Sequence, residues 1–290
     1  MAKELLRFVG MIGILTLTAT GCGKDPGSGD RFVPLQNEGA SYDLSLITYN
    51  ILTSVDVNAT LQGYAPWASR RRDVGAFLAS SGADIIAVQE GTSGQIADIG
   101  LMLSHYGVVI SRKTSDSVLF YKHSRFELVD EGYWPLPSNG VFQQPRIALW
   151  MKLQDRATGR EVMAIGTHLD AHRAVKARSA KVLRRHLDNN VDHDGTAFLM
   201  GDFNITPEQN GFTLLNTAPF HDASAGFGAR PTYPSHAPKR RFDHIFYSGP
   251  RVNVSDWRVL EPPRVTKMSD HLPVGMQVHI DERTAASKLP

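Results

Sequence analysis

The stretch AFLMGDFNIT, residues 197–206, runs from an uninterrupted apolar segment into a carboxylate and an amide two residues apart. An apolar run with no polar break suits a strand covered on both faces. Gly201, Asp202 and Asn204 are ordinary turn and cap residues, so a simple turn is one reading. If strand periodicity persists, Asp202 and Asn204 project to one side together while Phe203 packs behind them. Both readings are open from this stretch alone, and the other strand ends have to decide between them.

Several other apolar runs end in the same unusual way. SLITYN ends at Asn50, IIAVQE at Glu90, and VMAIGTHLD at His168 and Asp170. RRFDHIF carries Asp243 at a strand start, and KMSDHLPVGMQV places Asp270 and His271 just before the last strand. Taken singly, Asn50 ends a strand, Glu90 or Asp270 caps a helix or turn, and His168 is a satisfied core histidine. Taken together those readings fail, because burying unpaired carboxylates and imidazoles costs several kcal/mol each. Convergence on a metal and a phosphate would offset that cost.

The donor types also fit one chemistry. Carboxylates from separate strands plus an asparagine oxygen suit a hard divalent cation, which shares its shell with water and substrate phosphate. Two histidines beside aspartates suit proton transfer or stabilisation of phosphoryl oxygens. There is no cysteine ligand, no His-x-x-x-His helix, no glycine-rich phosphate loop and no Gly-x-Ser-x-Gly elbow. This argues against zinc sites of the structural or zincin type, nucleotide-driven switches and serine esterases. What remains is metal-assisted attack of water on a phosphate ester.

With 290 residues, 42% of them hydrophobic, the chain can bury a substantial core. Residues 1–21 read as an export leader: Lys3 and Arg7 precede the apolar run FVGMIGILTLTAT, too short to span a bilayer comfortably. Ala19-Thr20-Gly21 leads into Cys22, the one cysteine in the protein, which has no disulfide partner. This junction resembles a bacterial lipobox, with a lipidated Cys22 as mature N-terminus on the periplasmic or cell-surface side of a membrane. Ala19 stands where leucine is usual, so cleavage by an ordinary signal peptidase, followed by secretion, is the alternative. Residues 22–40 then read as a Gly/Ser/Pro/Asp tether, 41–282 as one soluble domain expected to be a monomer, and 283–290 as a tail. Removing Lys3, Arg7 and Glu4 with the leader lowers the net charge from +2 to +1. That balance gives no global argument for nucleic acid or acidic lipid.

From Tyr42 onward short strands alternate with fewer helices. DLSLITYNIL alternates as a strand and ADIIAVQE reads as a buried one; SVLFYK, RIALWMKL, EVMAIGTH, AFLMG, FDHIFYS and PVGMQVHI follow. ASRRRDVGAFLASS reads as a helix, with Val74, Phe77 and Leu78 on one side. RAVKARSAKVLRRHLDNN reads as a longer one, with Val175, Ala180, Val182, Leu183 and Leu187 near one face. This pattern predicts an α/β fold in which two packed sheets are flanked by helices.

The ordered set TYN, VQE, PRIA, GTHLD, GDFN, TYP, FDHIF and SDHLPV resembles the endonuclease/exonuclease/phosphatase superfamily, the group of deoxyribonuclease I, across roughly residues 42–281. The resemblance implies a four-layered α/β sandwich of mostly antiparallel sheets and Mg²⁺- or Mn²⁺-dependent hydrolysis of phosphate esters. It makes Glu90 the principal metal ligand, with Asn50 close by and Asp270 completing the carboxylate set. It gives Asp202 the attacking water and Asn204 a phosphate oxygen. His271 would contact the scissile phosphate, oriented by Asp243, and His168 would stabilise the phosphate or protonate the leaving oxygen, with Asp170 behind it. Arg146 resembles the arginine beside the phosphate, and Thr232 is a further contact. His244 replaces a common tyrosine and should point away from Asp243. The family's phosphate-contacting tyrosine has no counterpart before SVLFYK, where Lys113 and Asp116 stand.

Three substrate classes fit. A nuclease would use the basic runs SRRRD (Arg70, Arg71, Arg72) and PKRR (Lys239, Arg240, Arg241); the bland alternative for both is a solvated surface. A sphingomyelinase-like enzyme would insert an apolar hairpin such as GYWPLPSNGVF, and an inositol or small-metabolite phosphatase would need neither. An inactive surface-binding lipoprotein is disfavoured by the complete polar set.

Overall fold

The computed structural model describes residues 40–54, 63–140 and 145–281. The expected leader at 1–21, Cys22 with the tether up to residue 39, and the tail at 283–290 lie outside the described residues. In chain order the elements are β1 (Tyr42–Asn50), α1 (Trp67–Ser81), β2 (Ile85–Gln89), α2 (Ser93–Met102), β3 (Tyr106–Ser111), β4 (Thr114–Lys122), β5 (Phe126–Leu136), β6 (Arg146–Asp155) and β7 (Glu161–His168). After these come α3 (Arg173–Asn190), β8 (Thr196–Asp202), α4 (Asn210–Leu215), β9 (His221–Asp222), β10 (Asp243–Ser248), β11 (Val252–Val259), α5 (Val265–Met268) and β12 (Val274–Ile280).

The continuous apolar runs become the centres of two sheets. Every residue of β2 and β8 is buried, as expected of strands covered on both faces. One six-stranded sheet has the order β11-β12-β1-β2-β4-β3 and the other β5-β6-β7-β8-β10-β9. Each contains one parallel pair, β1 with β2 and β7 with β8. Parallel neighbours need a crossover, and α1 and α3 supply the two. The remaining pairs are antiparallel. Leu46, Ala87, Leu119, Leu149, Met200, Ile245 and Met276 join the two inner faces, and the core continues through Tyr49 and Val88 on the outer face to Val74 and Leu78 of α1 and Ile99 of α2. Leu183 and Leu187 of α3 and Phe212 of α4 cover the other outer face with Leu199, Phe203 and Phe246. The α/β sandwich expected from the sequence is the observed fold.

This topology fixes where polar strand ends go. β1, β2, β7 and β8 finish at the rim where β4, β6, β10 and β12 begin. At that rim His168, Asp202 and Asp243 sit side by side in register on three adjacent strands. β8 needs glycine just before Asp202: a Cβ on Gly201, whose φ is 152°, would lie 1.9 Å from the Thr167 carbonyl oxygen.

The elements that sequence patterning left unassigned have identifiable disguises. α2 contains Gly94 and Gly100, although Thr92 and Gln95 form a capping box at its start. β11 carries a bulge between Val254 and Asp256 that interrupts its alternation. GYWPL is no free hairpin but part of β5, an edge strand, where Pro135 is tolerated. Trp134 stacks on His186 of α3, with ring centroids 5.2 Å apart.

His244 points away from Asp243 into Phe203, Phe212 and Phe246, and its Nε2 lies 2.8 Å from the Ile205 carbonyl oxygen. Burial, helped by Arg241, pushes its imidazole down to about 4. A depressed folded value means stability is complete above the unfolded value of about 6.5 and is lost as pH falls toward 4. His244→Phe should therefore remove about 2 kcal/mol of the stability lost between about pH 7 and about pH 5. Urea unfolding at both pH values measures this, and equal pH sensitivity in the two proteins would contradict a buried neutral imidazole.

Candidate active site

At the shared rim, side chains from both sheets meet around the Asp202 carboxylate. Asn50, at the end of β1, donates through Nδ2 to Asp202 Oδ2 and to Glu90 Oε1, both at 3.0 Å. Its Oδ1 meanwhile accepts from Leu52 N. Glu90 Oε2 accepts from Thr53 N, and the side chain keeps 24% of its surface exposed. Asp202 Oδ1 accepts from Asn204 N at 2.8 Å, an Asx-turn that swings Asn204 back beside its partner. GDFN is thus a turn and a polar cluster at once. The strand stops at Asp202, and Asn204 reaches the rim through that turn, at φ 51°, rather than by strand alternation. Glu90 is also left-handed, at φ 64°. For residues other than glycine, such backbones cost roughly 1–3 kcal/mol each and cluster at functional sites.

Two imidazoles flank Asp202 in matching poses. His271 Nδ1 lies 2.8 Å from Asp243 Oδ2, and its Nε2 lies 3.6 Å from Asp202 Oδ2. His168 Nε2 lies 3.6 Å from the same oxygen, while its Nδ1 faces Asp116 Oδ2 at 3.2 Å and Arg146 Nη1 at 2.6 Å. Arg146 also bonds Asp116 directly. Thr232 Oγ1 accepts from the backbone N–H groups of Phe242 and Asp243, fixing the start of β10.

One expectation changes. Asp170 does not support His168: the strand ends at His168, and the Asp170 carboxylate turns to the backbone N–H groups of Asn139 and His172. Asp116 stands behind His168 instead. Asn50 presents its amide N–H₂ to the two carboxylates and so holds Glu90 against Asp202. Arg146 bonds Asp116 and lies against His168 Nδ1. Asp116 was missed because the apparent strand began at Ser117, whereas β4 begins at Thr114. A polar residue at a strand end was the signal that could have found it.

The charges explain one another. Burial would raise Asp202, but His271 and His168, with bonds from Asn204 N and Asn50, outweigh it and hold the carboxylate low. Burial would lower His271, yet Asp243 and Asp202 hold it well above the ordinary histidine range. For His168, burial and Arg146 push downward, and Asp116 with Asp202 outweighs them. Asp116, Asp202 and Asp243 are therefore balanced by Arg146, His168 and His271. Glu90 and Asp270 are left over. Burial, with Glu90 and Asp202 nearby, pushes the Asp270 carboxyl up to about 6 despite His271. Two leftover carboxylates with oxygen-only donors fit a divalent cation of the Mg²⁺ or Mn²⁺ kind. Ligand atoms of Glu90, His168 and Asp202 also lie within 4.8 Å of one another, as do those of Asp202, Asp243 and His271.

The two basic runs divide. Arg70 is buried, Arg71 faces Asp98 at 3.7 Å, and Arg241 pairs with Asp222 at 2.9 Å. Lys239 and Arg240 are exposed.

The sequence matches the Endonuclease/Exonuclease/phosphatase family over residues 47–271. No curated protein sequence matches the chain. Among solved structures, an endonuclease/exonuclease/phosphatase from Bacteroides vulgatus is similar at 23% identity and TM-score 0.71, covering 83% of this chain and 100% of its own. A mannosyl-6-phosphatase from Bacteroides thetaiotaomicron is similar at 21% and 0.69, covering 81% of this chain and 99% of its own. The human Nocturnin catalytic domain, solved with a bound sulfate anion, is similar at 20% and 0.66, covering 81% and 94%. At such identities these likenesses establish the fold.

Replacing Asp116 by asparagine should lower the His168 pKa, because burial and Arg146 then face less opposition. NMR titration of the imidazole C–H signals measures this, and Asp170→Asn should leave the His168 titration unmoved. The opposite pattern would return Asp170 to the role of His168's partner.

Proposed function

The chain belongs to the endonuclease/exonuclease/phosphatase family, whose members are hydrolases acting on phosphoester bonds, and from that membership we propose that it cleaves phosphodiesters with an activated water. The observation that carries this reading is the pair of imidazole Nε2 atoms facing one ionised carboxylate oxygen, each at 3.6 Å. Such a set places a base between two proton donors. Asp202 takes the proton of the attacking water. His271, kept cationic by Asp243, donates to a non-bridging phosphate oxygen, and Asn204, whose Nδ2 lies 3.0 Å from the Leu169 carbonyl oxygen and 3.2 Å from His168 Nε2, would turn one N–H from His168 to another when substrate binds. His168, backed by Asp116 and Arg146, delivers a proton to the leaving oxygen. Asn50 keeps Glu90 and Asp202 together, and Thr232 steadies Asp243. Glu90 and Asp270 would hold Mg²⁺ or Mn²⁺, which supplies charge neutralisation at the scissile phosphate.

The lip of the site favours a nuclease over the other diesterases. Arg173, Lys176 and Arg240 gather there, and none has an ion-pair partner among the described residues. Lys176 Nζ reaches the Asn204 carbonyl oxygen at 2.5 Å, and Lys176 and Arg240 each stand 5.9 Å from the Phe242 ring. Phe242 packs on Tyr233 at 5.5 Å, and Tyr233 on His271 at 4.9 Å. Cations beside a row of packed rings suit a chain with several phosphates. A phosphomonoesterase, small-metabolite or inositol type, is the second reading, supported by the likeness to a mannosyl-6-phosphatase. A sphingomyelinase-like role is weaker because GYWPL is tied into β5.

The proposal extends to location: residues 1–21 are removed and a lipidated Cys22 anchors the monomeric domain 41–282 outside the cytoplasm. Among the described residues no helix is long and apolar enough to cross a membrane. Cys22→Ser should release the protein from the membrane fraction, and unchanged fractionation would contradict lipid anchoring.

The activity test is a panel of plasmid DNA, RNA, sphingomyelin, bis(4-nitrophenyl) phosphate and an aryl monophosphate, with Mg²⁺ or Mn²⁺. DNA or RNA and the bis-aryl diester should be cleaved, and a chelator should stop both. His271→Ala and Glu90→Ala should each lower kcat by about a hundredfold to ten-thousandfold. Inactivity on the whole panel, with no metal bound by calorimetry, would overturn the phosphoesterase reading.

A further inference from the structure

Arg70 is the most unusual side chain near the site, and the mechanism above leaves it unused. It lies in α1 with only 3% of its surface exposed. All five of its N–H donors end on backbone carbonyls. Nε donates to Ala65 at 3.0 Å. Nη1 donates to Ile51 and, at 2.9 Å, to Met268; Nη2 donates to Leu52 and, at 3.3 Å, to Thr53. None goes to a carboxylate, although an isolated buried cation is normally paired.

Four of the five carbonyls belong to two segments that border the leftover acids: the 51–53 loop, which touches Glu90, and the end of α5, which leads into Asp270. Ile51, Leu52 and Thr53 follow Asn50, and Thr53 N binds Glu90 Oε2. Met268 comes two residues before Asp270. The loop is held against its own preference, with Leu52 at φ 58°. Ser269 Oγ adds a parallel tie to the Asn50 carbonyl at 2.6 Å, and Gln95 Nε2 adds one to Leu52 at 3.0 Å. The guanidinium also feels both Asp270 and Glu90 as attractive charges.

We propose that Arg70 is a positioning residue that fixes the spacing between Glu90 and Asp270 before any cation arrives. This rests on the reading of those two acids as the metal-holding pair. A fork of five donors in one plane is required, because an ammonium has only three donors and no fixed plane. Lysine should therefore keep the charge and lose the function.

The test compares the full chain with Arg70→Lys, Ser269→Ala, Glu90→Gln and the Arg70→Lys/Glu90→Gln double variant. It reads Mn²⁺ affinity by calorimetry, kcat and KM on bis(4-nitrophenyl) phosphate, and thermal unfolding without added metal. Arg70→Lys should weaken Mn²⁺ binding and lower kcat, each by about tenfold to a hundredfold, with KM changed less than about threefold. In the Glu90→Gln background the same substitution should have little further effect on either quantity. If Arg70→Lys does not fold, Ser269→Ala, which cuts the parallel tie and leaves the guanidinium in place, should show the same split at about tenfold. Wild-type Mn²⁺ affinity and kcat in whichever variant folds would overturn the inference, as would full additivity with Glu90→Gln. A wild-type chain that neither binds Mn²⁺ nor cleaves the diester would overturn the functional reading and this inference with it. Wild-type activity with an unaffected Arg70→Lys overturns this inference alone.

Discussion

The organisation of this protein follows from one buried carboxylate. Asp202 sits at 1% exposure at the end of a central strand, where an ionised group left alone would be strongly disfavoured. It is kept ionised by two imidazoles, an asparagine amide and a backbone N–H from its own turn. Those partners come from both sheets, so the solvation of a single side chain helps to register one half of the sandwich against the other. Asn50 is the direct link, joining the end of β1 to the end of β8.

The topology makes this convergence possible. A parallel pair at the centre of each sheet sends two carboxy-terminal ends to the same rim, and their antiparallel neighbours begin there. Strand interiors can therefore be wholly apolar while nearly all the chemistry sits in the residue at, or just beyond, a strand end. The same rim concentrates strain, since Leu52, Glu90 and Asn204 all take left-handed backbones. Arg70, Gln95 and Ser269 supply hydrogen bonds that hold the segment around Leu52 in place.

Much of this was legible in the sequence because buried strands and polar strand ends leave contrasting signals. AFLMGDFN and IIAVQE showed both signals, and α3 was readable end to end from its spacing of Val175, Ala180, Leu183 and Leu187. Edge and bulged strands were hidden: β5 mixes charges with Gly132 and Pro135, and β11 loses its alternation at the bulge. Within the site the differences lie at strand ends. The family resemblance set Asp170 behind His168, but the chain turns after His168. Asp116 was passed over because Thr114-Ser115-Asp116 looks like a turn rather than a strand. Arg70 could not be separated from Arg71 and Arg72 by composition, since burial depends on which helix face meets the 51–53 loop.

The most direct test of the account is a crystal structure of the protein soaked with Mn²⁺ and inorganic phosphate. Anomalous density is expected at Glu90 and Asp270. A phosphate is expected between His168 Nε2 and His271 Nε2, beside Asp202. Phosphate held elsewhere, or Mn²⁺ that leaves Glu90 and Asp270 untouched, would contradict the account.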